Sequence, residues 1–215
     1  YNDAAAEMQR ASGGRLYPQA MLPFWDVPDA IRELERCQDE LGMTGIVITD
    51  CTDDWGLPPL GDRHWDPLWD ALQSRGMPVN FHIGGGSGPT RLWGPYPKAR
   101  MFAALSTMAQ MGNLVCITNL IYSGVLDRFK SLKFVSVESG IGWLPFLLES
   151  LDYQYDENGV DDLELRPKEY FQRQIYGSYW FEKDPSHAIE ALGEDNLMFE
   201  TDFPHATCLY PGVRE

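Results

Sequence analysis

Positive charge is what this sequence has least of. Its 17 lysines and arginines stand against 32 aspartates and glutamates, for a net charge of −15. No Lys/Arg cluster interrupts that acidic background. A nucleic-acid footprint, or attraction to an anionic membrane surface, needs the opposite sign. Paired cysteines are missing too. Cys37, Cys51, Cys116 and Cys208 lie far apart with no CxxC pair, which argues against a disulfide framework or a structural zinc site and leaves reduced, mostly buried thiols. There is no GxSxG elbow and no cysteine in a clear nucleophile setting, so triad chemistry is not expected. The longest apolar run, residues 114–125, is interrupted by Thr118, Asn119 and Ser123, and no membrane span is expected from it.

What is present suits a globular enzyme. Hydrophobic residues make up 44% of the 215 and aromatics 13%, enough to bury a sizeable core in one domain spanning 1–215. Short apolar runs alternate with loops and amphipathic segments. Strands are expected at 20–24, 45–49, 78–83, 133–137, 177–181 and 197–201. Helices are expected at 28–41, 66–75, 98–111, 114–129, 143–153, 167–174 and 186–192. Pro28 and Gly42 bracket the first of these helices, where such residues are preferred. In the second, Asp66 is read as the cap, Pro67 as the opening and Gly76 as the stop. Strands alternating with helices imply a parallel α/β sheet. Six strands make either an open doubly wound sheet or part of an eight-stranded barrel.

In both architectures ligands gather at the carboxyl ends of the strands. Asp50 follows the second strand, His82 ends the third, Glu138 and Ser139 end the fourth, and Asp202 ends the sixth. Histidine and carboxylate are the side chains that bind zinc or manganese. Taken singly, each has a bland reading. His82 could be a bonded loop histidine, Asp202 could cap the turn before Pro204, and Glu138 could pair with Arg128 or Arg173. At one end of one sheet, the three together point to a cation or to acid–base chemistry, because a buried carboxylate without a partner is costly. The run Gly84-Gly85-Gly86-Ser87-Gly88 fits neither phosphate-loop fingerprint and reads as a flexible loop that makes room for substrate. Trp55, His64 and Trp93 fall in aromatic-rich stretches expected near the same rim, where they would line a pocket together with His205.

The segments MLPFWD (21–26), GLPPLGD (56–62) with HWDP (64–67), FHIG (81–84), FVSVESGIGWLP (134–145) and FETDFPH (199–205) resemble, in order, the amidohydrolase-related family of aminocarboxymuconate semialdehyde and resorcylate-type decarboxylases. The resemblance implies a distorted (β/α)₈ TIM barrel around one divalent metal, zinc ahead of manganese. His82 corresponds to the ligand that closes the fifth barrel strand and Asp202 to the carboxylate of the eighth, so the six strands would be strands three to eight. Two departures are visible. No histidine precedes His64, so the first-strand ligand pair is lacking and the barrel is expected to be incomplete at both ends. Glu138 or Ser139 stands where the sixth strand ordinarily carries a catalytic histidine.

The resulting expectation is a metal-dependent hydrolase or non-oxidative decarboxylase for a small, aromatic or unsaturated carboxylate. Asp202 and Glu138 would be catalytic, His82 and Asp202 would hold metal, and Trp55, His64, Trp93 and His205 would bind substrate. The protein is expected to be cytoplasmic and homo-oligomeric, with no nucleic-acid or membrane partner. The competing expectation is a non-catalytic barrel scaffold with a degenerate metal site. A metal-free hydrolase using Glu138 and Asp202 as paired carboxylates is a third. If the barrel is open, its edge strands are also expected to pair with other copies or to aggregate.

Overall fold

The computed structural model describes residues 1–85 and 92–213. Six strands, β1 (Ala20–Met21), β2 (Ile46–Thr49), β3 (Val79–His82), β4 (Phe134–Val137), β5 (Ile175–Tyr179) and β6 (Leu197–Phe199), form one sheet in sequence order. Every neighbouring pair is parallel. Parallel pairing requires a crossover between strands, and helices provide it. α1 (Asn2–Ala11) precedes the sheet, α2 (Val27–Asp39) joins β1 to β2, and α3 (Asp66–Arg75) joins β2 to β3. α4 (Lys98–Ala109), α5 (Met111–Tyr122) and α6 (Val125–Arg128) lie between β3 and β4. α7 (Leu144–Glu157) and α8 (Pro167–Gln174) lead to β5, and α9 (Ser186–Leu192) to β6.

The strands show the two-residue alternation that gives a sheet two different faces. Ile46, Ile48, Val79, Phe81, Phe134 and Ile175 are buried in the core, together with Leu34, Trp65, Trp69, Leu120, Leu148 and Phe171 from the helical segments. The alternate residues Val47, Thr49, Asn80 and His82 are less buried and belong to the opposite face. One side chain extends the ladder at the first edge. Asn2 accepts from the Met21 amide at 2.9 Å and donates to the Met21 carbonyl at 2.8 Å, pairing the backbone groups that a further strand would otherwise take.

All six expected strands form, with ends moved by a few residues. β5 begins at Ile175, directly after α8, two residues before the expected start. The expected helix over 114–129 is two helices, because Gly124 takes a left-handed φ of 72° between α5 and α6 and ends the first of them. Asp66 is the first residue of α3 rather than its cap. Its carboxylate is taken by Arg128 at 2.9 Å, while Asp62 caps the short turn ahead of α3 by accepting from the His64 amide at 2.7 Å. α1 had no counterpart in the sequence reading.

Taken together, α4 and α5 also qualify a second expectation. Residues Lys98–Tyr122 are apolar and long enough to cross a membrane by length and composition alone. A core helix passes the same test. α5 buries Asn113, Cys116, Ile117, Leu120 and Ile121, and Thr118 and Asn119 return their hydrogen bonds to Leu114 and Val115 of their own helix.

Candidate functional site

At the carboxyl ends of β3, β4 and β6 the chain brings its histidines and carboxylates together. One ligand atom from each of Glu138, Asp202 and His205 lies within 4.8 Å of the others, the one such group among the described residues. His205 Nδ1 is 2.8 Å from Asp202 Oδ2 and 3.8 Å from Glu138 Oε1. His82 joins from β3, with Nε2 2.8 Å from Glu138 Oε2. The two carboxylates are largely covered, at 16% and 14% exposure, whereas the histidines face the opening.

The local backbone explains how two acids come to point at one spot. Glu138 has φ 60° and Asp202 has φ 55°, the two non-glycine residues with positive φ among those described. An L residue in that region costs about 1–2 kcal/mol, and such strain persists where the surroundings over-determine it. Around Glu138 they do. The buried Asn113 amide lies 2.9 Å from Ser136 Oγ, 3.0 Å from the Val137 carbonyl and 3.1 Å from Ser139 Oγ. On the far side, Glu182 accepts from the amides of Ile141 (2.6 Å) and Gly142 (3.3 Å). A Cβ at the intervening Gly140, itself at φ 67°, would collide with that carboxylate.

The charges in the cluster are unusual for a protein interior. Glu200, two residues before Asp202, adds a third carboxyl group. Burial raises its pKa, opposed by hydrogen bonds from Ser178 and the Glu138 amide. Its Oε1 atom is buried without a partner. The facing side chains are histidines, and among the described residues no Lys or Arg lines the cleft beside them. Both ring nitrogens of His82 face acceptors, Nδ1 the Ile83 carbonyl at 2.7 Å and Nε2 the Glu138 carboxylate. The hydrogen bond to Glu138 raises the His82 pKa to about 9, so the ring is an imidazolium with both N–H groups donating. Its Nε2 lone pair is available to a metal only once that proton has left. The two carboxylates of Glu138 and Asp202, with the His205 imidazole beside them, make an oxygen-rich set that fits a divalent cation.

Beside the cluster a cleft of about 410 Å³ opens between α4 and the strand ends. Its polar wall is Ser106, Thr107 and Gln110 of α4, its apolar wall is Trp180 and Phe181 after β5, and its floor holds Glu138 and His205. A larger cavity of about 630 Å³ lies between the loop after β2 and α5. It contains Asp50 and no histidine. Asp50 therefore serves a different place from the cluster, where it accepts from Cys51 Sγ at 3.2 Å.

Of the expected site residues, His82, Glu138, Asp202 and His205 come together. Trp55, His64 and Trp93 do not line the cleft. Trp55 is exposed and donates its indole N–H to the Gly85 carbonyl at 2.6 Å. His64 stacks edge-on against Trp65, and Trp93 is 90% exposed. The arginines considered for Glu138 are engaged elsewhere, Arg128 by Asp66 and Arg173 by the Leu126 carbonyl; the partner of Glu138 is His82. Asp202 does cap its turn, since the Thr207 hydroxyl and His205 both bond its Oδ2, and it does so from inside the cluster. The part of the glycine run at 86–88 lies outside the described residues. Glu200, Ser178, Asn113, Glu182, Trp180 and Phe181 were not expected. Glu200 had a readable signal, because two-residue spacing puts it on the same face as Asp202.

A family model described as amidohydrolase matches residues 1–208. A gamma-resorcylate decarboxylase of Polaromonas sp. is 26% identical over 226 residues, covering 94% of this chain and 64% of that protein. The chain thus spans about two thirds of that relative's length. The solved 5-carboxyvanillate decarboxylase of Sphingomonas paucimobilis superposes with a TM-score of 0.75 at 26% identity, over 94% of this chain and 61% of its own. The dihydroxybenzoic acid decarboxylase of Polaromonas sp., solved with manganese and 2-nitroresorcinol, shares the fold at 23% identity and a TM-score of 0.68, over 94% and 63% of the two chains. The six parallel strands are accordingly part of a TIM-type barrel, and the chain belongs to the amidohydrolase family.

Proposed function

We propose that this chain carries the site of a metal-dependent, non-oxidative decarboxylase acting on a small aromatic carboxylate. The observation that carries the reading is the meeting of Glu138, Asp202 and His205 beside a cleft that, among the described residues, no Lys or Arg lines. A carboxylate substrate entering that cleft meets more negative charge, which is repulsive unless a cation intervenes. Glu138, Asp202 and His205 would hold the cation, and His82 would join them on giving up its Nε2 proton. The oxygen-rich donors suit manganese better than zinc. Bound there, the cation would neutralise and orient the oxygens of the substrate.

The chain's own residues supply the rest. Trp180 and Phe181, set edge to face at 80°, form an apolar wall against which an aromatic ring packs and from which water is displaced. Ser106, Thr107 and Gln110 offer hydrogen bonds to ring substituents on the opposite side. Asp202 moves the proton. Its carboxyl group delivers H⁺ to the ring carbon bearing the carboxylate, a C–H bond forms, the C–C bond breaks, and its electron pair returns to the ring as CO₂ leaves. Between turnovers Asp202 regains its proton from solvent.

Decarboxylation is placed ahead of hydrolysis because the similar proteins named above are decarboxylases of hydroxylated or methoxylated aromatic acids. The test is CO₂ release from a panel of hydroxy- and methoxybenzoates by the manganese-loaded full-length protein. Release from at least one acid, abolished in Asp202→Asn, supports the reading. Turnover that survives exhaustive chelation, or hydrolysis of esters and amides with no CO₂ release, overturns it.

A further inference from the structure

The Glu138 carboxylate is central to this site, and it sits on a strained backbone. What holds it there is a second carboxylate that the reaction does not use. Glu200 reaches from the end of β6 across β5 to β4. Its Oε2 accepts the backbone N–H of Glu138 at 3.3 Å and the hydroxyl of Ser178 at 2.8 Å. Ser178 sits on β5 between the two, and its oxygen also lies 3.0 Å from the Ser136 carbonyl on β4. One carboxyl group therefore ties together β4, β5 and β6, two of which carry ligands of the site.

We infer that Glu200, braced by Ser178, is the positioning residue that fixes the direction of the Glu138 side chain by holding its backbone amide. The inference rests on the reading of Glu138 as part of a catalytic cation site. Three observations support it. The contact is from side chain to main chain, so it fixes a backbone rather than competing for the Glu138 carboxylate. The hydrogen bonds of the Glu200 carboxylate run to the Glu138 amide and the Ser178 hydroxyl. Asn113 and Glu182 hold the residues flanking Glu138 but leave the amide of Glu138 itself to Glu200.

The conservative variant separates this role from the others. Glu200→Gln keeps an acceptor oxygen for the Glu138 amide and the Ser178 hydroxyl but loses the charge, whereas Glu200→Leu loses both. In the full-length protein, Glu200→Leu is expected to misplace the Glu138 ligand, weakening manganese binding and lowering kcat by about 10²-fold, the scale of a misplacement near 1 Å. Glu200→Gln is expected to recover most of that loss, and Ser178→Ala to fall between the two. A Gln variant as impaired as the Leu variant, or loss of manganese in both, would mean that the charge itself acts on the substrate or the cation, and the positioning role would be wrong. So would a Leu variant with unchanged kcat. Hydrogen exchange of the Glu138 amide gives the same answer without turnover: protection is expected in wild type and Glu200→Gln and lost in Glu200→Leu. If Glu200→Leu does not fold, Ser178→Ala and Glu200→Gln still decide on that readout. If wild type shows the protection but releases no CO₂ from any acid tested, the decarboxylase reading fails while the positioning of Glu138 stands.

Discussion

Glu33 and Glu138 are both partly buried acids, at 24% and 16% exposure, and the protein treats them in opposite ways. Glu33 lies on α2 with regular helical backbone. Arg36 reaches both of its oxygens at 2.8 Å, Asn2 adds a bond at 2.7 Å, and Arg36 continues to Asp3. The arginine holds its carboxyl well below the usual range, at about 2. Every acceptor there has a permanent partner. Glu138 stands on a left-handed residue beside two more carboxyl groups, has histidines in place of arginine, and has a neighbouring oxygen on Glu200 with no partner. The first network is finished by folding. The second is finished only by something that arrives later, and that difference separates a structural acid from a functional one in this chain.

The largest expected effect falls on the second network alone. Asp202→Asn removes the proton donor and a cation ligand, and turnover is expected to fall by about 10²–10⁴-fold, with the unfolding midpoint nearly unchanged. Steady-state CO₂ release and a thermal melt check the two halves. Arg36→Leu acts on the first network alone. It leaves Glu33 without its cation, and a lower midpoint in denaturant unfolding is expected, with manganese content unaltered.

That network also has a pH signature. The Glu33 pKa is lowered on folding, so its contribution is complete above the ordinary carboxylate value and is lost as pH falls from about 4.5 toward 2. An acid-unfolding series should show Glu33→Gln losing the steepest part of that limb. Glu138→Gly sharpens the contrast further, since glycine adopts φ 60° freely. This variant is expected to gain up to about 1 kcal/mol of stability while losing activity. Trp93→Ala, at 90% exposure, is expected to change stability by less than about 0.5 kcal/mol and turnover not at all.

Much of this was readable before any coordinates. Local rules place the six strands, and the carboxyl-end rule picks His82, Glu138 and Asp202, because period-two alternation and strand ends are properties of the chain itself. Helix boundaries followed where glycine and proline punctuate, as at Gly76, and failed where Gly124 splits a run that looked continuous. The pocket wall was not readable in the same way. Trp55, His64 and Trp93 shared an aromatic-rich stretch with the rim, but the direction of a loop side chain depends on contacts made across the fold, such as Trp55 with the Gly85 carbonyl. The hold of Glu200 on Glu138 spans 62 residues, a pairing that no local pattern encodes.

The central claim is that the carboxylate cluster at the strand ends exists to hold a cation. Metal content per chain, measured by elemental analysis on the full-length protein as purified and after dialysis against manganese, tests it most directly when wild type is compared with a Glu138→Gln/Asp202→Asn double variant. Near-stoichiometric metal in wild type that is lost in the double variant, with both proteins giving the same circular dichroism spectrum, is the predicted result. Equal metal in the two proteins, or none in a well-folded wild type exposed to manganese, would contradict it.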